Sequence, residues 1–134
     1  MKKKILIIDD EEVLRRIMRT MLERRPFEVI EAASGVEGFD LAKKLRPDLI
    51  LLDWNMPGMN GAEVLKILRA EPLTANIPVI LLTGTDPQDL EAQGSELAAC
   101  DYVLKPFSVL QLLEKVEKTL AQQSSPLNHR STKA

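Results

Sequence analysis

Residues 49–61 have the sequence Leu-Ile-Leu-Leu-Asp-Trp-Asn-Met-Pro-Gly-Met-Asn-Gly. The first four, residues 49–52, are apolar without alternation, which is typical of a parallel strand covered by helices on both faces. Residues 55–61 are rich in Pro and Gly and predict a loop. Residues 62–70 then carry apolar side chains at helical spacing. A buried strand, a loop and a helix in this order indicate an α/β fold.

The same alternation continues toward both ends of the chain. Ser34 is a good N-cap residue with Glu37 three positions later, so a helix is predicted from there to Pro47. The apolar side chains that we expect to face inward from this helix are Val36, Phe39, Ala42 and Leu45. The first helix, predicted over 11–24, has apolar residues at helical spacing at Val13, Leu14, Ile17, Met18, Met21 and Leu22.

Five strands and five helices are predicted in strict alternation, which favours a parallel sheet with helices on both faces. The strands are predicted at 5–8, 27–30, 49–52, 78–82 and 102–104. The remaining helices are predicted at 62–70, 87–99 and 107–121. Residues 1–121 then form one domain. Residues 122–134 contain one apolar side chain and are expected to be a flexible polar tail or the start of a linker.

Composition narrows the functional classes. The 134 residues are 45% hydrophobic and 28% charged, with a net charge of −2, which excludes a disordered chain and a strong general attraction to nucleic acid. The single cysteine, Cys100, cannot form an internal disulfide and is expected to be a buried apolar side chain. The apolar run at 5–8 is too short for a signal peptide or a membrane span, so we expect a cytoplasmic protein without membrane contact.

Polar side chains follow four of the predicted strands. Asp9 and Asp10 follow the first, Asp53 the third, Thr83 the fourth and Lys105 the fifth. Because parallel strands end at the same edge of a sheet, these groups are expected to converge. An acid at one strand end is often only a helix N-cap, but five polar or charged groups at the ends of four strands indicate a site.

Three crowded carboxylates repel one another, and a divalent cation relieves that repulsion. Oxygen ligands without a Cys or His cluster suit Mg²⁺. Asp53 could then act as a nucleophile toward a phosphoryl group, with the Lys105 ammonium and the Thr83 hydroxyl beside it. The sequence has no glycine-rich phosphate loop followed by Lys and Ser or Thr, so receipt of a phosphoryl group is favoured over nucleotide binding.

With these motifs the chain resembles the receiver domains of bacterial response regulators, especially single-domain regulators of the chemotaxis type. The resemblance covers about residues 3–121. The motifs are Ile-Leu-Ile-Ile-Asp-Asp-Glu at 5–11, Leu-Asp-Trp-Asn-Met-Pro-Gly-Met-Asn-Gly at 52–61, Leu-Leu-Thr-Gly at 81–84 and Asp-Tyr-Val-Leu-Lys-Pro-Phe at 101–107. The resemblance implies a flavodoxin-like doubly wound (βα)5 sandwich with strand order 2-1-3-4-5.

The resemblance also implies roles for individual residues. Asp53 would be the phosphoacceptor of a phosphorelay that begins on a histidine kinase or a histidine phosphotransfer protein. Asp10, Asp53 and the Asn55 carbonyl would bind Mg²⁺ directly, and Asp9 through water. Lys105 would pair with the phosphate and precede a cis bond to Pro106. Thr83 and Tyr102 would relay phosphorylation to the surface of the fourth helix, fifth strand and fifth helix, where a downstream protein binds.

The sequence also allows other interpretations. A metal-dependent phosphatase would usually carry a second acid at the Asn55 position, and a phosphorylation-independent adaptor would have lost a pocket residue. The first helix and its end carry five arginines that form either a solvated face or a docking site for the kinase or phosphotransfer partner: Arg15, Arg16, Arg19, Arg24 and Arg25. Trp54 is expected to be a partly exposed lid beside the pocket, with fluorescence that responds to Mg²⁺. The receiver would be a monomer or a weak phosphorylation-dependent dimer, and it would catalyse only its own phosphorylation and dephosphorylation.

Overall fold

The computed structural model describes residues 2–84 and 101–124, which contain a five-stranded parallel sheet in the order β2-β1-β3-β4-β5. The predicted fourth helix, Cys100 and residues 125–134 lie outside the described residues. The strands are β1 (Lys3–Ile8), β2 (Phe27–Ala32), β3 (Leu49–Asp53), β4 (Val79–Thr83) and β5 (Asp101–Leu104). The helices are α1 (Glu12–Leu22), α2 (Gly35–Leu45), α3 (Gly61–Ala70) and a last helix, Val109–Ser124.

The sheet separates two hydrophobic cores, as the uninterrupted apolar strands predict. Every residue of β3 and β4 is buried. On one face, Ile5, Ile7 and Leu51 pack with side chains of α1 and the last helix. On the other face, Ile8 and Leu52 pack with side chains of α2 and α3. The predicted strand order, parallel pairing and two-sided helix cover are therefore confirmed.

The inward face of α2 differs from the prediction. Val36 is 59% exposed, whereas Gly35 and Gly38 are buried. A Cβ atom on Gly38 would lie 2.5 Å from Ile8 Cδ1, so the helix approaches the sheet too closely for a larger residue at this position. The helix therefore presents Gly38 to β1 and Gly35 to Val64 of α3. Leu45 is also exposed, at 36%, so the predicted inward positions of Val36 and Leu45 are wrong.

The apolar residues of α1 also lie in two different environments. Met18 and Leu22 are buried in the core, but Val13 and Ile17 are 70% and 46% exposed. The period of the sequence pattern was right, but the apolar stripe is wider than the surface that the sheet covers. Val13 and Ile17 lie at the carboxyl edge of the sheet beside the segment that follows β5.

The last helix extends three residues beyond the predicted domain boundary at 121. Its buried apolar residues are Leu112, Leu113, Val116 and Leu120, whereas Leu110 is 61% exposed. Among the helices of the described ranges, none combines the length and the hydropathy needed to cross a membrane.

Candidate phosphoacceptor site

The carboxyl edge of the sheet gathers the predicted polar residues. Asp9 and Asp10 directly follow β1, and Asp53 and Thr83 are the last residues of β3 and β4. Lys105 directly follows β5, and its backbone N–H donates to the Thr83 carbonyl at 2.7 Å. The bond from Lys105 to Pro106 is cis. Parallel pairing of neighbouring strands thus brings together residues that are almost 100 positions apart in the chain.

Asp53 and Lys105 form the central ion pair. Asp53 is 3% exposed, and its Oδ1 accepts a hydrogen bond from Lys105 Nζ at 2.9 Å. The backbone N–H of Asn55 donates to the same oxygen at 3.2 Å. Among the described residues, Oδ1 therefore carries both hydrogen bonds to this carboxylate, and Oδ2 is the oxygen left for other chemistry.

Asp9 is fully buried, and its two oxygens differ. Oδ1 accepts from the backbone N–H of Glu11 at 2.8 Å, while Oδ2 has no hydrogen-bond partner within the described part of the chain. Burial, reinforced by the nearby charges of Asp53 and Asp10, raises the pKa of Asp9 to about 6, against the lowering effects of the Glu11 N–H and of Lys105. A carboxylate this poorly solvated needs a proton or a cation.

The donor set fits a hard divalent cation. One oxygen from each of Asp9, Asp10 and Asp53 lies within 4.8 Å of the others. The unpartnered Asp9 oxygen is buried at this cluster, and Asp10 is exposed at its opening. Carboxylate oxygens with an opening to water suit Mg²⁺, which keeps several waters when it binds to proteins. The orientation of the Asn55 carbonyl, the fourth predicted ligand, stays a prediction.

The two predicted switch residues lie on adjacent strands. Thr83 is fully buried at the end of β4. Tyr102, on β5, pairs in register with Leu81 of β4, and the Tyr102 side chain is 39% exposed. Asn55 is exposed in the loop after β3. The structure thus provides one buried hydroxyl at the site and one partly exposed aromatic ring nearby on the edge strand.

Trp54 is not a partly exposed lid, and that prediction is wrong. It is 6% exposed and belongs to the core shared with α2 and α3. Its backbone N–H extends the pairing with β4 by donating to Leu82 O at 2.9 Å. A Cβ atom on Gly61 would lie 2.7 Å from Trp54 Cα, so the loop after Asp53 folds closely against the start of α3. Asn60 and Glu63 fix that start with a complete capping box, a signal present in the sequence but missed.

The arginines of α1 are not a free basic face. Arg15 and Arg19 both donate to Glu31 at the end of β2, at 2.8 and 2.7 Å. Arg15 Nη1 also donates to the backbone carbonyl of Asp9 at 2.7 Å. Arg16 of α1 pairs with Glu12, and Arg25, three residues past the end of α1, pairs with Glu117. Sequence reasoning missed Glu31, because nothing in a local pattern pairs residues that are 16 positions apart.

Comparison with known families agrees with this geometry. The family model for the response regulator receiver domain matches residues 5–117. The chain belongs to the response regulator receiver family. Receiver domains of two-component systems are signalling modules rather than classical enzymes, and histidine kinases or phosphotransfer proteins phosphorylate them.

Individual relatives and solved structures resemble this receiver domain over most of its length. It is 39% identical to the phosphate regulon transcriptional regulatory protein PhoB of Pseudomonas aeruginosa over 118 residues, covering 88% of this chain and 52% of the relative. It is 35% identical to the sporulation initiation phosphotransferase F of Bacillus subtilis, covering 93% and 99%. The structure of chemotaxis protein CheY4 of Vibrio cholerae superposes with a TM-score of 0.82 at 30% identity, covering 88% and 98%. The chain spans about half the length of the PhoB relatives and nearly all of the phosphotransferase.

Proposed function

We propose that this receiver domain is a phosphorylation-activated switch in which Asp53 accepts a phosphoryl group in a Mg²⁺-dependent reaction. The observation that carries the proposal is the Asp53 carboxylate, which is almost completely buried, lies 2.9 Å from the Lys105 ammonium and shares an edge of the sheet with Asp9 and Asp10. A buried nucleophile beside a fixed cation is suited to phosphoryl transfer, because that reaction depends on positioning and charge neutralisation.

Each residue of the site has its own role in the proposed phosphoryl transfer. Asp53 Oδ2 attacks phosphorus while the bond from phosphorus to the donor nitrogen breaks, and the donor histidine keeps that electron pair. Lys105 already lies against Asp53 and neutralises charge on the transferred oxygens. Bound at the three acids, Mg²⁺ would supply further charge neutralisation. Asp9 and Asp10 would hold that ion with Asp53 and the Asn55 carbonyl.

The relay begins with the change in charge at Asp53. Phosphorylation turns a carboxylate into a larger group that is close to doubly charged and has new acceptor oxygens. Thr83 lies at the end of the neighbouring strand and is the hydroxyl nearest in register, so it donates to the phosphoryl group. Movement of Thr83 makes space toward which Tyr102 turns inward. The surface of the predicted fourth helix, β5 and the last helix then changes shape for a downstream protein.

The partner surface is apolar rather than basic. A groove of about 490 Å³ lies between α1 and the segment after β5, and Val13, Ile17 and Phe107 contribute apolar side chains to it. Lys105 also lines this groove, so the groove is continuous with the phosphoacceptor site. A histidine-bearing helix of a kinase or phosphotransfer protein fits this surface, since it would cover the apolar side chains and bring its histidine to Asp53. The proposed docking determinants therefore include Val13 and Ile17, and the paired arginines have a lesser part.

Intact mass spectrometry tests the phosphoacceptor. The folded protein is incubated with a small phosphoryl donor and Mg²⁺, beside an Asp53→Asn variant and a sample with excess chelator. We expect the mass of one phosphoryl group on the native protein only. Phosphorylation of Asp53→Asn at the native rate would reject Asp53 as the acceptor. An unmodified native protein that binds Mg²⁺ would instead favour an adaptor that works without phosphorylation.

A further inference from the structure

A side-chain bridge connects the β1–α1 loop to the end of β2. Arg15 is the central residue of this bridge: its side chain is only 12% exposed, and it donates both to the Asp9 carbonyl and to Glu31. Glu31 is itself held from its other side by Arg19 at 2.7 Å. One guanidinium therefore has two rigid contacts, one to main chain beside the acidic cluster and one to a carboxylate on the neighbouring strand.

The bridge contacts the main chain in the turn between β1 and α1. Asp9 and Asp10 lie in the short turn between β1 and α1, and the Asp9 N–H pairs with Ala32 O at 3.1 Å. The Asp9 carbonyl accepts a hydrogen bond from the Arg15 side chain. A hydrogen bond from a side chain in the first turn of α1 thus restrains the rotation of the peptide unit between Asp9 and Asp10. That rotation decides where the Asp10 carboxylate can lie.

Glu31 stays charged and keeps the bridge in place. Its burial would raise its pKa, but the hydrogen bonds from Arg19 and Arg15 and their charges outweigh burial and hold the pKa of Glu31 below its usual value. A planar guanidinium that is bound at two edges has little rotational freedom. The end of β2, which lies two strands from Asp53 in the sheet, is in this way connected to the carboxylate cluster.

We propose that Arg15 is a positioning residue for the cation site, which fixes the Asp9–Asp10 turn through the Asp9 carbonyl while Glu31 holds its guanidinium in place. This inference rests on the proposed Mg²⁺ site. Groups that orient metal ligands without touching the metal typically change metal affinity by about 10- to 100-fold when they are removed. The loss of the Arg15 charge alone would raise the affinity for Mg²⁺, because removal of a cation near the site strengthens the binding of another cation. A lower affinity would therefore indicate the loss of positioning.

Arg19 is a matched control for Arg15. Both arginines lie on α1 and pair with the same carboxylate, but only Arg15 contacts Asp9. Methionine keeps most of the apolar stem of either side chain and removes its hydrogen bonds and charge. The Arg15→Lys variant keeps the charge but cannot donate in two fixed directions, so it should recover only part of the lost affinity.

The experiment is a Mg²⁺ titration of the unphosphorylated protein, followed by calorimetry and by Trp54 fluorescence, for native protein and for Arg15→Met, Arg15→Lys and Arg19→Met. Circular dichroism first shows that each variant is folded. We expect the dissociation constant for Mg²⁺ to rise about tenfold in Arg15→Met, less in Arg15→Lys, and to stay within about twofold or to fall in Arg19→Met.

The outcomes separate this inference from the proposed function. Native protein that binds no Mg²⁺ overturns both. Native binding together with unchanged or tighter binding by Arg15→Met overturns the positioning role and leaves the phosphoacceptor proposal in place. Equally weakened Mg²⁺ binding in Arg15→Met and Arg19→Met also overturns the positioning role. The loss of affinity would then follow from the shared ion pair with Glu31 and not from the contact with Asp9.

Discussion

Removal of the charge on Asp9 should stabilise the metal-free protein. In the folded state the pKa of Asp9 is raised from 3.8 to about 6, chiefly because the side chain is buried. Since a tenfold change in proton affinity is about 1.4 kcal/mol, the charged form of Asp9 costs roughly 3 kcal/mol of folding free energy at pH 7.5. Asp9→Asn, which is a neutral isostere of the protonated acid, should recover about 1 to 3 kcal/mol of that cost.

The sign and the pH range follow from the same pKa. A raised pKa means that the folded state binds the proton more tightly than the unfolded state, so the stabilising effect of protonation is complete below about pH 3.8 and is lost as the pH rises through about 6. Between pH 7.5 and pH 5 the cost of the Asp9 charge in the native protein should fall by about half, from roughly 3 to roughly 1.6 kcal/mol, and the difference from Asp9→Asn should shrink by the same amount of about 1.4 kcal/mol. Groups that lie far from Asp9 have the same effect in both proteins and cancel in this difference.

Urea denaturation in the presence of EDTA measures these differences, with Asp10→Asn as the control. Asp10 is exposed, so its substitution should change the free energy of unfolding by less than about 0.5 kcal/mol. Added Mg²⁺ should stabilise the native protein more than Asp9→Asn, because it binds only the folded cluster. A less stable Asp9→Asn protein at pH 7.5, or a difference that does not change with pH, would refute the account of Asp9 as a buried, poorly compensated charge.

Three further variants test the surroundings of the site. Gly61→Ala should lower the free energy of unfolding by about 1 to 3 kcal/mol in urea, because its Cβ would meet the Trp54 backbone at 2.7 Å; no loss would mean that the loop has space to move. Asn60→Ala removes the cap of α3 and should cost about 1 kcal/mol in thermal unfolding, and an unchanged melting temperature would show that the cap contributes little. Lys105→Met should stay folded but accept a phosphoryl group at least 100-fold more slowly by intact mass, and a native rate would remove Lys105 from the mechanism.

The main features of the fold could be predicted from local patterns. The apolar runs of β1, β3 and β4 indicated buried strands, and the hydrogen bond from Glu37 N to Ser34 Oγ confirms the predicted start of α2. Strict alternation of strands and helices favoured parallel connections. The order 2-1-3-4-5, which the sheet has, was implied by the resemblance to receiver domains. The apolar runs, the helix cap and the alternation are local patterns, so they can be recognised in the sequence without the structure.

The orientation of individual side chains could not be predicted in this way. The pattern of α2 was correct in period, but Gly38 packs against β1 and Gly35 against α3, because the distance between packed elements sets which side chains fit there. Trp54 looked like a lid because it follows Asp53 in a loop, yet α3 covers it. Each of these outcomes depends on the separation of two elements, and no local pattern contains that distance.

For the site, the sequence by itself determined which residues meet, since parallel strands bring their carboxyl ends, and so Asp9, Asp10, Asp53, Thr83 and Lys105, to one edge. Only the tertiary structure decided how those residues behave. The full burial of Asp9, its unpartnered oxygen and its raised pKa come from the packing of several elements around it. The bridge from Arg15 to Glu31 likewise joins α1 to β2 across space, because charge and solvent exclusion depend on three-dimensional distance and not on separation along the chain.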